Sequence, residues 1–187
     1  MMETSKDYER KLEDLIFAIK QAKNRGCNVN LLIGAGCSVT GGIPLANKIV
    51  EDLKEKYPYE MCRVIEDTYA ECMSKLTPIE RRLFISNYVK NSKVNWAHLC
   101  IALLMKENYI NRVLTTNFDN LLPRACAMVC EFPGIYDLAL TASEFRPDLL
   151  WDKSIIYLHG QHTGFILCNT KDEVKAQKDK IRKIFKK

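Results

Sequence analysis

The stretch VNLLIGAGCSVTGGIP, Val29 to Pro44, sets the fold class. Its first five residues are almost continuously apolar and run straight into glycines. A short apolar run ended by a turn signal reads as a buried strand of a parallel sheet. Gly34 and Gly36 allow a positive φ and let the backbone approach a ligand closely. Unbonded N–H groups at the start of the helix that follows favour a diphosphate. A plain tight turn fits the same glycines. The segment also departs from the dinucleotide fingerprint G-x-G-x-x-G, because Val39 stands where the third glycine belongs and no acidic residue closes an obvious second strand.

Outward from this strand the pattern alternates. Before it, Asp7 to Lys23 reads as a helix, with Leu12, Leu15, Ile16 and Ile19 forming one stripe expected to be buried, and Gly26 as its stop. After Pro44 a helix should turn Ile49, Val50 and Leu53 inward. Residues 59–92 look helical, with a capping box at Thr77–Glu80 and Pro78 in the first helical position. Asn95 can cap a helix through Met105. Arg112 to Thr116 forms a second strand, and Asp119 or Asn120 can cap a helix through about Cys130, with Pro123 inside its first turn. Ile155 to Leu158 is a third strand ending at His159-Gly160, and a further short strand fits near Phe165–Cys168. The tail from Lys171 reads as an amphipathic helix with Val174, Ile181, Ile184 and Phe185 on one side. The fold class is therefore α/β: a Rossmann-like parallel sheet flanked by helices, with a helical insertion. One domain spans 1–187: an N-terminal helix to about residue 28, a core at 29–165 and a basic helix at 171–187.

Composition narrows the function. At 187 residues, 47% hydrophobic and 27% charged, the chain can bury a core without disulfides or metal. Its N-terminus is too charged for a signal peptide, and its longest apolar run, Leu99 to Met105, is far short of a membrane span, so a cytoplasmic protein is expected. The eight cysteines contain no C-x-x-C pair, so they read as reduced thiols, with no metal site. Net charge is +5, and residues 171–187 carry all of it, with eight Lys/Arg against three Asp/Glu. The rest is balanced and carries no footprint for direct nucleic-acid binding.

Three strands thus end in polar turns: GAGCS (Gly34–Ser38), TTNFD (Thr115–Asp119) and His159-Gly160. In an open α/β sheet ligands bind beyond the carboxyl ends of the strands, so these turns should share a pocket sized for a dinucleotide. GAGCSVTGGIP resembles the sirtuin signature GAGxSxxxGIP at every specified position. TTNFD resembles the sirtuin T-Q-N-x-D motif and is nearer the form found in bacterial sirtuin-like defence proteins. His159-Gly160 sits where sirtuins carry their catalytic His-Gly, and His98 also matches a family feature. The resemblance covers about residues 29–165. Pro44 is followed by Leu45-Ala46-Asn47 rather than x-Phe-Arg, and only Cys168 follows His159-Gly160, so the zinc-ribbon module of the deacylases is missing. Family members usually continue further past this point, so the resemblance implies either a minimal member or a truncated one, with the adenosine end open or completed by another chain.

What the resemblance implies is an NAD+ hydrolase rather than a lysine deacylase. NAD+ would be substrate, with no metal. Asn117 would orient ribose hydroxyls or water, and His159 would be the general base. Gly34, Ala35, Gly36 and Ser38 would cradle the diphosphate. Pro44, Thr116, Asp119 and Gly160 complete the expected NAD+ site, Asp119 through supporting hydrogen bonds or simply as a helix cap. His98 reads as a packed helix residue, and His162 has no motif behind it. The resemblance further implies an oligomeric effector that depletes NAD+ in abortive antiphage defence. A separate sensor would switch it on: an argonaute-like protein, a helicase-type ATPase, or a nucleotide sensor resembling inosine-triphosphate pyrophosphatases. The alternatives are a module that binds NAD or ADP-ribose without turnover, and a deacylase.

Overall fold

The computed structural model describes residues 3–140, 147–164 and 166–185, with the side chains of 3–10, 140, 147, 178–181 and 183–185 outside that description. Four strands form one parallel sheet in the order β1 (Asn30–Ile33), β2 (Arg112–Thr115), β4 (Ser154–Tyr157), β3 (Gly134–Asp137). Eight α-helices accompany it among the described residues: α1 (Glu3–Asn24), α2 (Ala46–Lys56), α3 (Pro58–Met61), α4 (Tyr69–Ser74), α5 (Pro78–Asn91), α6 (Trp96–Lys106), α7 (Leu121–Met128) and α8 (Lys171–Phe185). The architecture is the α/β, Rossmann-like one expected, with α2 to α6 inserted between β1 and β2. No described helix is long and apolar enough to cross a membrane.

The central strands carry the core. Every residue of β4 is buried, as are the last three of β2. Side chains alternate across the pleat. Val113 and Ile155 pack with Ile101, Met105, Leu122 and Ala125 of α6 and α7, while Leu114 and Ile156 join Leu138 and Leu158 in a smaller cluster. The insertion has its own core of Leu53, Met73, Phe84 and Ile85, which also takes in Leu121, the first residue of α7. The helices that build the insertion are thereby locked to the turn after β2.

Several elements depart from the sequence reading. β1 is parallel but lies at the sheet edge, so its exposure alternates and Leu32 is 59% exposed rather than buried. The α1 stripe is not buried: Leu12, Leu15 and Ile16 are 51%, 56% and 44% exposed, and only Ile19 is half-buried. The helical reading of residues 59–92 resolves into three pieces, α3, α4 and α5. A Thr68 cap, accepting from the Glu71 N–H, restarts the chain at α4. The capping box at Thr77 and Glu80 forms as read. β3 has no counterpart in the sequence pattern, and Ile166–Cys168 is irregular rather than a strand, while Phe165 lies outside the described residues. Of the tail's apolar side, Ile181, Ile184 and Phe185 have side chains outside the described set. Cys130 falls beyond α7 with φ 55°, so it does not share a helix with Cys126.

Candidate functional site

Register brings the three turns together. Ile33 pairs with Thr115, and Thr115 with Tyr157, so β1, β2 and β4 end in one row. The residues that follow, Gly34, Thr116 and Leu158, begin their turns from that row. Beyond it lies a cavity of about 260 Å³, lined by Ala35, Ser38 and Pro44 from the first turn, Thr116, Asn117 and Asp119 from the second, and His159 from the third. Ligand sites commonly span about 300–1,000 Å³. This one is therefore smaller than the dinucleotide-sized pocket expected, and it seats only part of such a ligand. Gly34, Gly36 and Gly160 are not in its wall.

The first turn is a 3-10 helix, Ala35–Gly41, and its two leading glycines are not in the positive-φ region. Gly34 is extended, with φ −131°, and a side chain on Gly36 would meet nothing within 4 Å. The conformational demand falls instead on Gly41-Gly42. A Cβ at Gly41 would lie 2.5 Å from the Lys93 carbonyl oxygen, and Gly42 has φ 98°. This pair lets the end of the insertion close onto the turn, through the Lys93 N–H to the Gly41 carbonyl at 2.8 Å.

Ser38 is the hub of the site. It is fully buried, and its hydroxyl donates to Asp119 Oδ2 at 2.8 Å. It accepts from Asn117 Nδ2 at 3.1 Å and lies 3.4 Å from His98 Nε2. The His98 tautomer follows from its other nitrogen. His98 is the third residue of α6; Asn95 caps that helix, and the Asn95 backbone N–H points at Nδ1 at 3.5 Å. With Nδ1 accepting, Nε2 carries the proton and donates to Ser38. One hydroxyl donor and two lone pairs are then all used. Burial pushes the His98 imidazole below its ordinary pKa against the opposing pull of Asp119, so it is neutral at pH 7. Asn95 Nδ2 completes the brace with bonds to the Cys37 carbonyl and Thr40 Oγ1, both at 2.8 Å.

Asp119 divides its two carboxylate oxygens between the start of α7 and Ser38. Oδ1 accepts from the Leu121 N–H at 3.0 Å, opening α7, and Oδ2 holds Ser38. The turn is also pinned by Tyr157, whose hydroxyl donates to the Asp119 carbonyl at 2.7 Å. His162 has a structural place: its backbone N–H donates to the Phe118 carbonyl at 2.8 Å. Asn117 lines the cavity with its Nδ2 tied to Ser38, and among the described residues no hydrogen bond reaches its Oδ1.

No family model matches this chain, and no curated protein matches it. The chemistry of the site rests on its own geometry. His159 lines the cavity, and burial alone pushes its imidazole below the ordinary value, which leaves it neutral and able to accept a proton. Gly160 has φ 91°, and a Cβ there would sit 2.3 Å from the Ile166 carbonyl oxygen, so glycine alone fits beside this histidine. The Cys168 N–H donates to the His159 carbonyl at 2.8 Å and draws the segment before α8 over the cavity.

That segment supplies Cys168 and Asn169 to the cavity wall, α4 supplies Tyr69 and α2 supplies Ile49, none of them in a motif, and Ile43 and Phe118 join them from the first two turns. Among the described residues no group of three or more His, Cys, Asp or Glu side chains is placed to hold a metal ion. The cavity walls are mostly apolar, and Asn117 adds an amide and His159 a neutral imidazole to them.

Proposed function

We propose that this chain hydrolyses the bond between nicotinamide and ribose in NAD+. The observation that carries this reading is a single cavity lined by Ser38, Asn117 and His159, each from the turn after a different parallel strand. The likeness of those same turns to sirtuin motifs adds to it. In the reaction the ribose C1′–N bond breaks, the electron pair stays with nicotinamide, and water adds to C1′ while its proton goes to His159. Nicotinamide leaves neutral, so no acid is needed. The transition state carries positive charge on the ribose ring, and Asn117 Oδ1 holds a ribose hydroxyl or the water in line. The cavity takes the nicotinamide end, and the diphosphate runs out over the open backbone at Gly34–Gly36. A chain of this kind would act in the cytoplasm as an oligomeric antiphage effector and need a separate sensor to restrain it.

A second reading, binding of NAD or ADP-ribose without turnover, is favoured by one feature. Among the described residues nothing hydrogen-bonds the His159 ring, whereas a general base is usually oriented by a third group. Nicotinamide release from purified wild type, Asn117→Ala and His159→Ala separates the two. Hydrolysis predicts release by wild type and a loss of at least about a hundredfold in His159→Ala. Full activity in both variants removes the mechanism, and tight NAD+ binding with no release by wild type establishes the second reading.

A further inference from the structure

The helix α1 stands off the rest of the chain as an arm. Every residue from 11 to 18 is exposed, about two full turns open on all sides. The body takes hold only near the root, where Ile19, Gln21, Ala22 and Lys23 are half-buried and the Lys23 ammonium lies 3.9 Å from the centre of the Tyr109 ring. Leu12, Leu15, Ile16 and Ile19 nevertheless form one stripe about 100° wide, the width of a helix face that packs. A helix of 22 residues this rich in charge draws its stability in water from a covered apolar face rather than from propensity. Exposed leucine and isoleucine gathered on one face mark an interaction site.

Charge along the arm selects the partner. Residues 3–9 carry three acidic residues and one lysine, a net of −2. Residues 10–17 carry two of each sign and are neutral. Residues 18–24 carry Lys20 and Lys23 and no acid, a net of +2. This order suits the dipole of a single helix, but a single helix leaves the stripe bare. A second copy laid parallel would set acid beside acid and lysine beside lysine. Laid antiparallel, it matches the acidic end of each arm to the basic root of the other. The stripe obeys the same two-fold axis. Leu12, Leu15 and Ile19 have the alternating three- and four-residue spacing of a two-helix seam. With the axis between residues 13 and 14, Leu12 comes level with Leu15 of the second copy, and the overlap covers the whole helix. Such an interface is its own complement and closes at two copies.

We propose that α1 is a dimerisation arm, the stripe of Leu12, Leu15, Ile16 and Ile19 packing antiparallel on the same stripe of a second copy of this chain. The two bodies then sit at opposite ends of a helix pair about 33 Å long. Phe17 lies off the stripe and takes no part in the seam.

Analytical ultracentrifugation of the full chain from about 1 to about 100 μM tests this, with circular dichroism to confirm that each variant is folded. Wild type should approach twice the chain mass of 21.6 kDa. Leu15→Glu, a change at an exposed position, should leave the fold intact and the protein monomeric throughout. Phe17→Ala should dimerise as wild type does. Lys20→Glu reverses one charge on each side of the two-fold and should weaken the dimer about tenfold. Adding Asp7→Lys to the same chain should restore it, because the antiparallel seam sets these two positions level. A monomeric wild type, a dimer that survives Leu15→Glu, equal losses in Leu15→Glu and Phe17→Ala, or a charge swap that fails to recover the dimer each overturns the proposal. These readings concern assembly alone, so they leave the reaction proposed above to its own test.

Discussion

Replacing Ser38 by alanine should be the most damaging single-atom deletion in the molecule. The lost oxygen serves three buried neighbours: Asp119 Oδ2, Asn117 Nδ2 and His98 Nε2. A hydrogen bond to a charged group is worth about 1.5–3 kcal/mol, and a neutral one about 1 kcal/mol. The simple total is about 4 kcal/mol, but Asn117 and Asp119 border the cavity, where water can replace part of the loss. About 3 kcal/mol remains. For a chain of this length each kcal/mol moves the melting temperature by about 2–4 °C, so Ser38→Ala should melt about 6–12 °C lower.

Thermal and urea unfolding monitored by circular dichroism measure this directly. Val39→Ala, one residue on and partly exposed, is the control and should stay within about 0.5 kcal/mol of wild type. A double-mutant cycle with Asp119→Asn isolates the pair, since asparagine keeps the oxygen that caps α7. The coupling should be about 1–2 kcal/mol. A Ser38→Ala protein melting within about 2 °C of wild type would refute the hub. So would strict additivity in the cycle, because the three partners would then be satisfied without the hydroxyl.

Two other expectations concern the histidines and the glycines. Burial lowers the pKa of both His98 and His159, so below about pH 6.5 the unfolded chain takes up protons that the folded chain refuses. Stability from this source is complete above that pH and drains away as pH falls toward the folded-state values. Urea midpoints measured from about pH 7.5 to about pH 5 should decline, and less steeply in His98→Gln. If His159 is the base, the acid limb of kcat/KM should have its midpoint below the ordinary imidazole value; a midpoint above it would exclude this residue. Gly160→Ala, with positive φ and a carbonyl oxygen 2.3 Å from the new carbon, should lose about 2 kcal/mol or more. Gly36→Ala meets open space at a non-positive φ and should unfold within about 0.5 kcal/mol of wild type. Equal stabilities for the two would contradict the backbone geometry described here.

Two of the three strands legible in the sequence are those whose burial makes them continuous, while the third, β1, is an apolar run that lies at the sheet edge with Leu32 exposed. β4 and most of β2 are sealed on both faces, and each reads as an uninterrupted apolar or β-branched run. β3 was not legible because Gly134 and Asp137 bound only two apolar residues, and what makes it a strand is its pairing with β4. The α1 stripe shows the converse limit. Its 3.6-residue period was real, but a period gives a face and not what covers it. The break after α3 is legible in the sequence: Thr68 and Glu71 have capping-box spacing, as Thr77 and Glu80 do.

The site divides along the same line. Ser38, Asn117 and His159 could be found because each ends a strand, and parallel pairing with aligned register leaves the ends of neighbouring strands no choice but to meet. The glycines could be found but not their roles, since the strained conformation sits at Gly42 and Gly160 rather than in the GAG turn. Tyr69 and Asn169 could not be found at all. Their hydrogen bond spans 100 positions, and no motif in the sequence ties the segment of one to the segment of the other. What identifies them is a satisfied oxygen beside an unsatisfied nitrogen, a relation that exists only once the chain has folded. Motifs located where this fold brings chemistry together; the pairing of Tyr69 with Asn169 exists only through the packing of α4 against the segment before α8.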